Sequence, residues 1–234
     1  MNVADAPRTI HRHRLATRLW HWATAFAVVV LIGSGLTISN AHPQLYWGVY
    51  GANFDAPWLQ LPRFPGWMTI PSRYNLALAR QWHLLSAWIL GVGLLLFMIA
   101  SLWNGHFARK LRLRQRELGW RHIRDDVAAH LSLRFHDPEA PGDYNLFQKL
   151  SYIAIIFAAL PLAILTGIAL SPGMNAAWPW VLDLLGGRAS ARSIHFVTAA
   201  AIAGFVVVHL ALVILAGVGN ELRAMVTGRW RVPE

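Results

Sequence analysis

Four histidines stand inside otherwise apolar stretches of this chain: His21, His83, His195 and His209. An imidazole in hydrocarbon is expensive to keep, so each is a candidate functional group. His195 and His209 are 14 residues apart on what reads as one helix. That spacing is a rise of about 21 Å and a rotation of about 1,400°, within roughly 40° of whole turns, so the two share a face at different depths. His83 lies about one turn inside one end of its apolar stretch, at the height of His195. His21 enters its stretch at the opposite side, at the height of His209. Any other pairing would join residues at opposite membrane surfaces, so the expected couples are His21–His209 and His83–His195.

Imidazole suits iron, copper, zinc and nickel. Zinc normally takes at least three protein ligands, and neither couple has a third. A haem brings its own four equatorial nitrogens and needs two axial ligands. Two axial histidines leave no open position on the iron, which favours electron transfer over oxygen chemistry. The chain has no cysteine. That excludes disulfides, thiolate zinc sites, cysteine-ligated iron–sulfur clusters and haem attached through C-x-x-C-H, so a haem here is held without covalent bonds.

Other residues are candidates for supporting roles. Arg18, Arg80 and Arg192 each stand three residues before a proposed ligand, at membrane edges. They are candidate partners of haem propionates, with interfacial snorkelling as the competing account. Gly35 follows His21 by 14 residues, and Gly91, Gly93 and Gly204 lie on ligand-bearing helices. Small residues let a macrocycle or another helix approach the backbone. For a quinone site the candidates are His106, just past the second apolar stretch, with Asn145 and Lys149 beyond it. His11, His13, His122, His130 and His136 read as solvated, His42 as a loop residue, and Met98 as packing.

Four apolar stretches long enough to cross a bilayer position these side chains, at about residues 18–38, 79–103, 148–170 and 191–217. The predicted fold class is all-α, a transmembrane four-helix bundle with two haems between the helices, in a single domain over residues 1–234. The first stretch loosely imitates a signal peptide, but it is long, contains His21, and is expected to stay as a helix. Pro161 should kink the third helix, and Pro172 follows its end. Trp20, Trp22, Trp82 and Trp103 fall at helix ends, as an interfacial aromatic belt requires.

The hydrophobic fraction is 56%, only 14% of residues are charged, and the net charge is +10. The cations do not form one face, as a nucleic-acid-binding module would require. They fall between the apolar runs instead. Sixteen Lys and Arg residues lie in the two tails, in the 104–147 loop or at the adjoining ends of the stretches (Arg18 and Lys149), against five on the other side (Arg63, Arg73, Arg80, Arg188 and Arg192). The expected location is therefore the bacterial inner membrane, multi-pass, with both termini cytoplasmic and membrane lipid as solvent. Ile123, Val127, Leu131 and Phe135 in the cytoplasmic loop are spaced as on one helix face, either lying on the membrane or packed on the bundle. The external loop, 39–78, is rich in proline and aromatics. It is either a cap over the bundle or a docking surface.

The strings Arg18-Leu19-Trp20-His21-Trp22, Arg80-Gln81-Trp82-His83, Tyr144-Asn145-Leu146-Phe147-Gln148-Lys149-Leu150 and Ser190-Ala191-Arg192-Ser193-Ile194-His195-Phe196 resemble the bacterial cytochrome b561 and nickel–iron hydrogenase b-type cytochrome superfamily. The chain is most similar to the thiosulfate reductase cytochrome b subunit-like branch, over about residues 14–228. The resemblance implies two b haems, with His21–His209 and His83–His195 as axial pairs, and electron exchange with the quinone pool. It also implies a periplasmic redox partner: a molybdenum oxidoreductase or another cytochrome. The hydrogenase type usually carries a further ligand histidine or an extra helix, so a hydrogenase partner is not expected. Some single-subunit relatives suggest an alternative, a self-contained superoxide:quinone oxidoreductase.

Overall fold

The computed structural model describes residues 9–49, 55–132 and 144–232. Four of its helices are long and apolar enough to cross a membrane: Leu15–Ala41, Leu76–Trp103, Leu146–Leu170 and Arg188–Leu215. They are apolar all round and carry large side chains outward, among them Leu19, Val29, Leu96 and Ile214, each more than half exposed. Lipid-facing spans have this composition, whereas a soluble helix keeps one polar face. The protein is thus an all-α helical bundle of the multi-pass membrane type.

In chain order, β1 (Thr9–His11) leads into α1 (Leu15–Ala41), and the two-residue strands β2 (Gln44–Leu45) and β3 (Leu59–Gln60) follow. Next come α2 (Leu76–Trp103), the short α3 (His106–Lys110) and α4 (Trp120–Leu131). The third span is α5 (Leu146–Ala154), a π turn over Ile155–Ala159, and α6 (Leu160–Leu170). Short helices α7 (Pro172–Ala177) and α8 (Trp180–Leu184) precede α9 (Arg188–Leu215), α10 (Val218–Thr227) and β4 (Arg229–Arg231). Pro161 has no N–H to donate and crowds the carbonyl four residues back. The wide π turn directly before it accommodates that defect inside the span.

One compact unit comprises residues 23–94 and 155–205. In it the loop after α1 is latched onto the first turn of α9. Gly48 N–H donates to Ser190 Oγ at 2.7 Å, and Ser190 N–H donates to the Gly48 carbonyl at 3.1 Å. Trp58 Nε1 donates to Ser193 Oγ at 2.9 Å, and Ser193 Oγ donates to the Tyr46 carbonyl at 2.6 Å. A helix's first N–H groups lack intrahelical partners, and here the loop supplies one of them. The contact requires Gly187, whose φ is +99° and whose added Cβ would lie 2.5 Å from Val49 Cα. The loop's second part folds back on α1. Ile70 N–H donates to the Gly33 carbonyl, and Thr37 Oγ1 donates to the Ile70 carbonyl, both at 3.0 Å. The loop therefore acts as a cap.

The other unit comprises residues through 22, 95–154 and 206 onward. Its tails form structure that the sequence reading left as polar segments. β1 pairs antiparallel with β4, Ile10 opposite Trp230. Arg12 sits over the fully buried Trp230 ring and pairs with Glu221, which also accepts from Trp230 Nε1. His13, expected to be solvated, is half-buried against this network. Burial, then the charge of Arg12, lowers its pKa to about 4. The fourth span ends at Leu215, and Gly217, at φ +102°, starts α10. In α4, Ile123 is half-buried but Val127 is exposed. Asp126 replaces Val127 in the inward role and accepts from Leu146 N–H at the start of α5. Phe135 and His136 lie outside the described residues.

Candidate functional site

Within the first unit, α2 presents His83 and α9 presents His195 with ring centres 6.2 Å apart and planes at 63°. Within the second, α1 presents His21 and α9 presents His209 at 6.4 Å and 59°. Two imidazoles on opposite sides of one metal, each with a metal–nitrogen bond of about 2.0–2.1 Å, place their ring centres about 6 Å apart. Both couples have that separation. Among the described residues no group of three or more His, Cys, Asp or Glu converges as a metal-ion site. Two imidazoles alone suit a metal whose remaining ligands arrive with it, as in haem.

The first couple is oriented by hydroxyls from the neighbouring helices. Ser34 Oγ on α1 lies 3.0 Å from His83 Nδ1, and Thr166 Oγ1 on α6 lies 2.8 Å from His195 Nδ1. Each hydroxyl has one proton and directs it to its own helix, Ser34 to the Val30 carbonyl at 2.6 Å and Thr166 to the Leu162 carbonyl at 2.7 Å. Toward the histidine each hydroxyl therefore accepts, and the imidazole proton is on Nδ1. This leaves the Nε2 lone pair of both rings free to bind a metal. In the other couple, His21 Nδ1 is buried and has no hydrogen-bond partner among the described residues.

Space and polarity also fit a flat acidic macrocycle. A Cβ added at Gly91 would meet nothing within 4 Å, whereas Gly204 is exposed and lies half a turn from His195 on α9. Arg18 Nε and Trp20 Nε1 are buried donors without partners among the described residues, and a carboxylate at the arginine would satisfy that donor. Arg80 is exposed and Arg192 half-buried. Burial, then the charges of Arg192 and Arg80, hold His42 below the ordinary histidine range. His42, read from sequence as a plain loop residue, thus shares a cationic neighbourhood with the two arginines.

The quinone candidates separate. Lys149 is buried and its Nζ contacts both Glu117 oxygens, at 2.8 and 2.9 Å. Burial alone would raise the Glu117 pKa, but the hydrogen bond and charge of Lys149 outweigh it and the net shift is downward. Asn145 caps α5 in a reciprocal box. Gln148 N–H donates to Asn145 Oδ1 at 2.8 Å, and Asn145 N–H donates to Gln148 Oε1 at 3.3 Å. Both residues have structural duties. His106 instead joins an aromatic cluster, 6.0 Å from Phe97, which stacks on Trp20 at 4.0 Å. Burial, then Arg109, Lys110 and Arg14, lowers its pKa, so it is neutral near pH 7. Trp20, expected in an interfacial belt, belongs to this cluster.

A multi-pass helical membrane protein with facing imidazoles in its interior is the class these features define. The chain belongs to the prokaryotic cytochrome b561 family, whose family model matches residues 12–228. Members are membrane b-type haem cytochromes that transfer electrons. The chain is similar to the putative protein-methionine-sulfoxide reductase subunit YedZ1 of Azospira oryzae, with 30% identity over 215 residues, covering 90% of this chain and 93% of that one. It is also similar to the probable Ni/Fe-hydrogenase B-type cytochrome subunit of Azotobacter vinelandii, at 25% identity over 234 residues, covering 95% of this chain and 88% of that one. The subunit of the same description from Azotobacter chroococcum mcd 1 matches to the same extent. No solved structure matches the chain.

Proposed function

We propose that this protein holds two b haems, one between His21 and His209 and one between His83 and His195, and passes electrons between the quinone pool and a periplasmic oxidoreductase. The observation that carries this reading is the pair of imidazole couples at metal-bridging separation. Each bound haem would supply a one-electron carrier with both axial positions filled, a state suited to transfer and closed to oxygen. The excess of Lys and Arg in the tails and the 104–147 loop supports cytoplasmic termini in a bacterial inner membrane. The His83–His195 couple then faces the periplasm and the His21–His209 couple the cytoplasm. Arg18, with Trp20, would hold the propionates of the inner group, and Arg80 with Arg192 those of the outer one.

At the inner side, His106 would take a proton from a quinol; its seat in an aromatic cluster and its lowered pKa support that role. At the outer side, the latched loop shields the first turn of α9 from water. A redox partner is supported by the relatives described as subunits of a reductase and of hydrogenases. A reductase-type partner, of the molybdenum class the sequence resemblance implies, fits the higher identity to the reductase subunit. The test is anaerobic mixing of the purified protein with a short-chain ubiquinol or menaquinol analogue, followed by absorption. Reduction within seconds, slowed in His106→Phe, is expected. No reduction by either quinol would overturn the quinone assignment.

A further inference from the structure

The hydroxyl contacts on the His83–His195 couple form a repeated device. In α1, Ser34 bonds His83 Nδ1, and the next residue, Gly35, is placed so that a Cβ would lie 3.5 Å from His83 Cε1. In α6, Thr166 bonds His195 Nδ1, and the next residue, Gly167, would place a Cβ 3.6 Å from His195 Cε1. A hydroxyl–glycine pair thus meets the same edge of each imidazole, and each pair comes from the helix before the one that bears the histidine. The third span carries no proposed ligand of its own and acts on the site through Thr166 and Gly167.

We propose that Ser34-Gly35 and Thr166-Gly167 are positioning and tuning elements that set the reduction potential of the group bound by His83 and His195. The inference rests on the ligand assignment above. Both residues are 0% exposed, so the two hydroxyls act out of contact with bulk water. Each accepts from Nδ1–H and passes its own proton to a helix carbonyl, a directional chain that polarises the imidazole. A ring whose N–H is accepted gives more electron density to the metal and favours the oxidised state. Both ligands of this couple are polarised in this way, whereas His21 Nδ1 in the other has no partner among the described residues. Helix packing explains a glycine or a back-bonded serine singly. It does not explain the same two-residue arrangement on both rings of one couple and its absence at His21.

The test uses the full-length purified protein and the variants Ser34→Ala and Thr166→Val, which remove the hydroxyls with little change of volume and leave the Leu31 and Ala163 carbonyls beside the rings. The conservative variants Ser34→Thr and Thr166→Ser serve as rescues, because they keep the hydroxyl. Haem content is counted first, and the two potentials are then read by optical redox titration. The expected result is unchanged haem content and a threefold to tenfold shift of one reduction equilibrium toward the reduced form. At about 59 mV per tenfold for one electron, that is a rise of roughly 30–60 mV in each single variant. The shift should be larger in the double variant, with the other potential constant and both near wild type in the rescues. Low-temperature electron paramagnetic resonance should show a change in one low-spin signal only. Unchanged potentials at full haem content would overturn the inference, as would equal shifts in both. If a variant loses haem, its rescue decides. A rescue that binds haem but has a shifted potential also overturns it, since the hydroxyl would then not be the determinant. Unchanged haem content in His83→Ala or His195→Ala would instead remove the ligand assignment beneath it, a different failure from constant potentials.

Discussion

Gly187 and Gly48 offer a paired test of how the loop is held on α9. Both have φ near +98°, where a side chain costs roughly 1–2 kcal/mol. Their surroundings differ. An added Cβ at Gly48 meets nothing within 4 Å, whereas at Gly187 it falls 2.5 Å from Val49 Cα and 2.8 Å from the Gly48 carbonyl oxygen. Backbone cannot rotate aside, so Gly187→Ala must push the loop off the helix. That breaks the two Gly48–Ser190 hydrogen bonds, worth about 1 kcal/mol each. The expected cost is roughly 3–4 kcal/mol for Gly187→Ala and roughly 1–2 kcal/mol for Gly48→Ala. The Ser190 amide is the reporter, since its hydrogen bond crosses the contact. If the loop opens locally, hydrogen exchange there should speed up by more than about a hundredfold in Gly187→Ala and about tenfold in Gly48→Ala. Equal acceleration in the two variants would refute the steric reasoning.

The Lys149–Glu117 pair has side chains 10% and 12% exposed. Lys149→Met should therefore cost roughly 2 kcal/mol, between the values for surface and fully buried pairs. Adding Glu117→Gln should recover most of it, as read by thermal unfolding; a single variant as stable as wild type would contradict the pair's burial. His13, facing Arg12, Glu221, His21 and Lys110, is held neutral down to about pH 4. An unfolded tail binds a proton below about pH 6.5 and the folded tail does not, so tail stability falls between pH 6.5 and 4 and levels off below. The loss is on the order of 2–3 kcal/mol. It is measured by proteolysis of the C-terminal tail against pH, and His13→Gln should flatten the profile; an unaltered profile would show that His13 is not responsible.

The histidine couples were legible because helical period and membrane depth are one-dimensional quantities. Fourteen residues between His195 and His209 fix a face and a height, and no other apolar-span histidines compete. The spans were legible from composition, although α1, α2 and α9 begin about three residues earlier than the apolar pattern suggested. In α9 the added residues include Arg188 and Ser190, which hydropathy excludes. Ser34 and Thr166 were not identified. A hydroxyl in an apolar helix usually back-bonds to its own carbonyl, and only the neighbouring helix shows that it also receives a proton from a histidine. Lys149 and Glu117 are 32 positions apart, and β1 and β4 more than 200, so no periodicity links them. His13 reads as solvated for the same reason: Glu221, which faces it, comes from the far end of the chain.

The central claim is that four imidazoles, in two couples, each hold one haem iron. Its most direct test is the haem-to-protein ratio of the purified protein, with reduced-minus-oxidised spectra, for wild type and for alanine at His21, His83, His195 and His209 in turn. Two haems per chain are expected in the wild type and the loss of one in each variant, with His21→Ala and His209→Ala losing the same spectral component and His83→Ala and His195→Ala the other. A wild type that binds no haem, or a variant that keeps both, would contradict it.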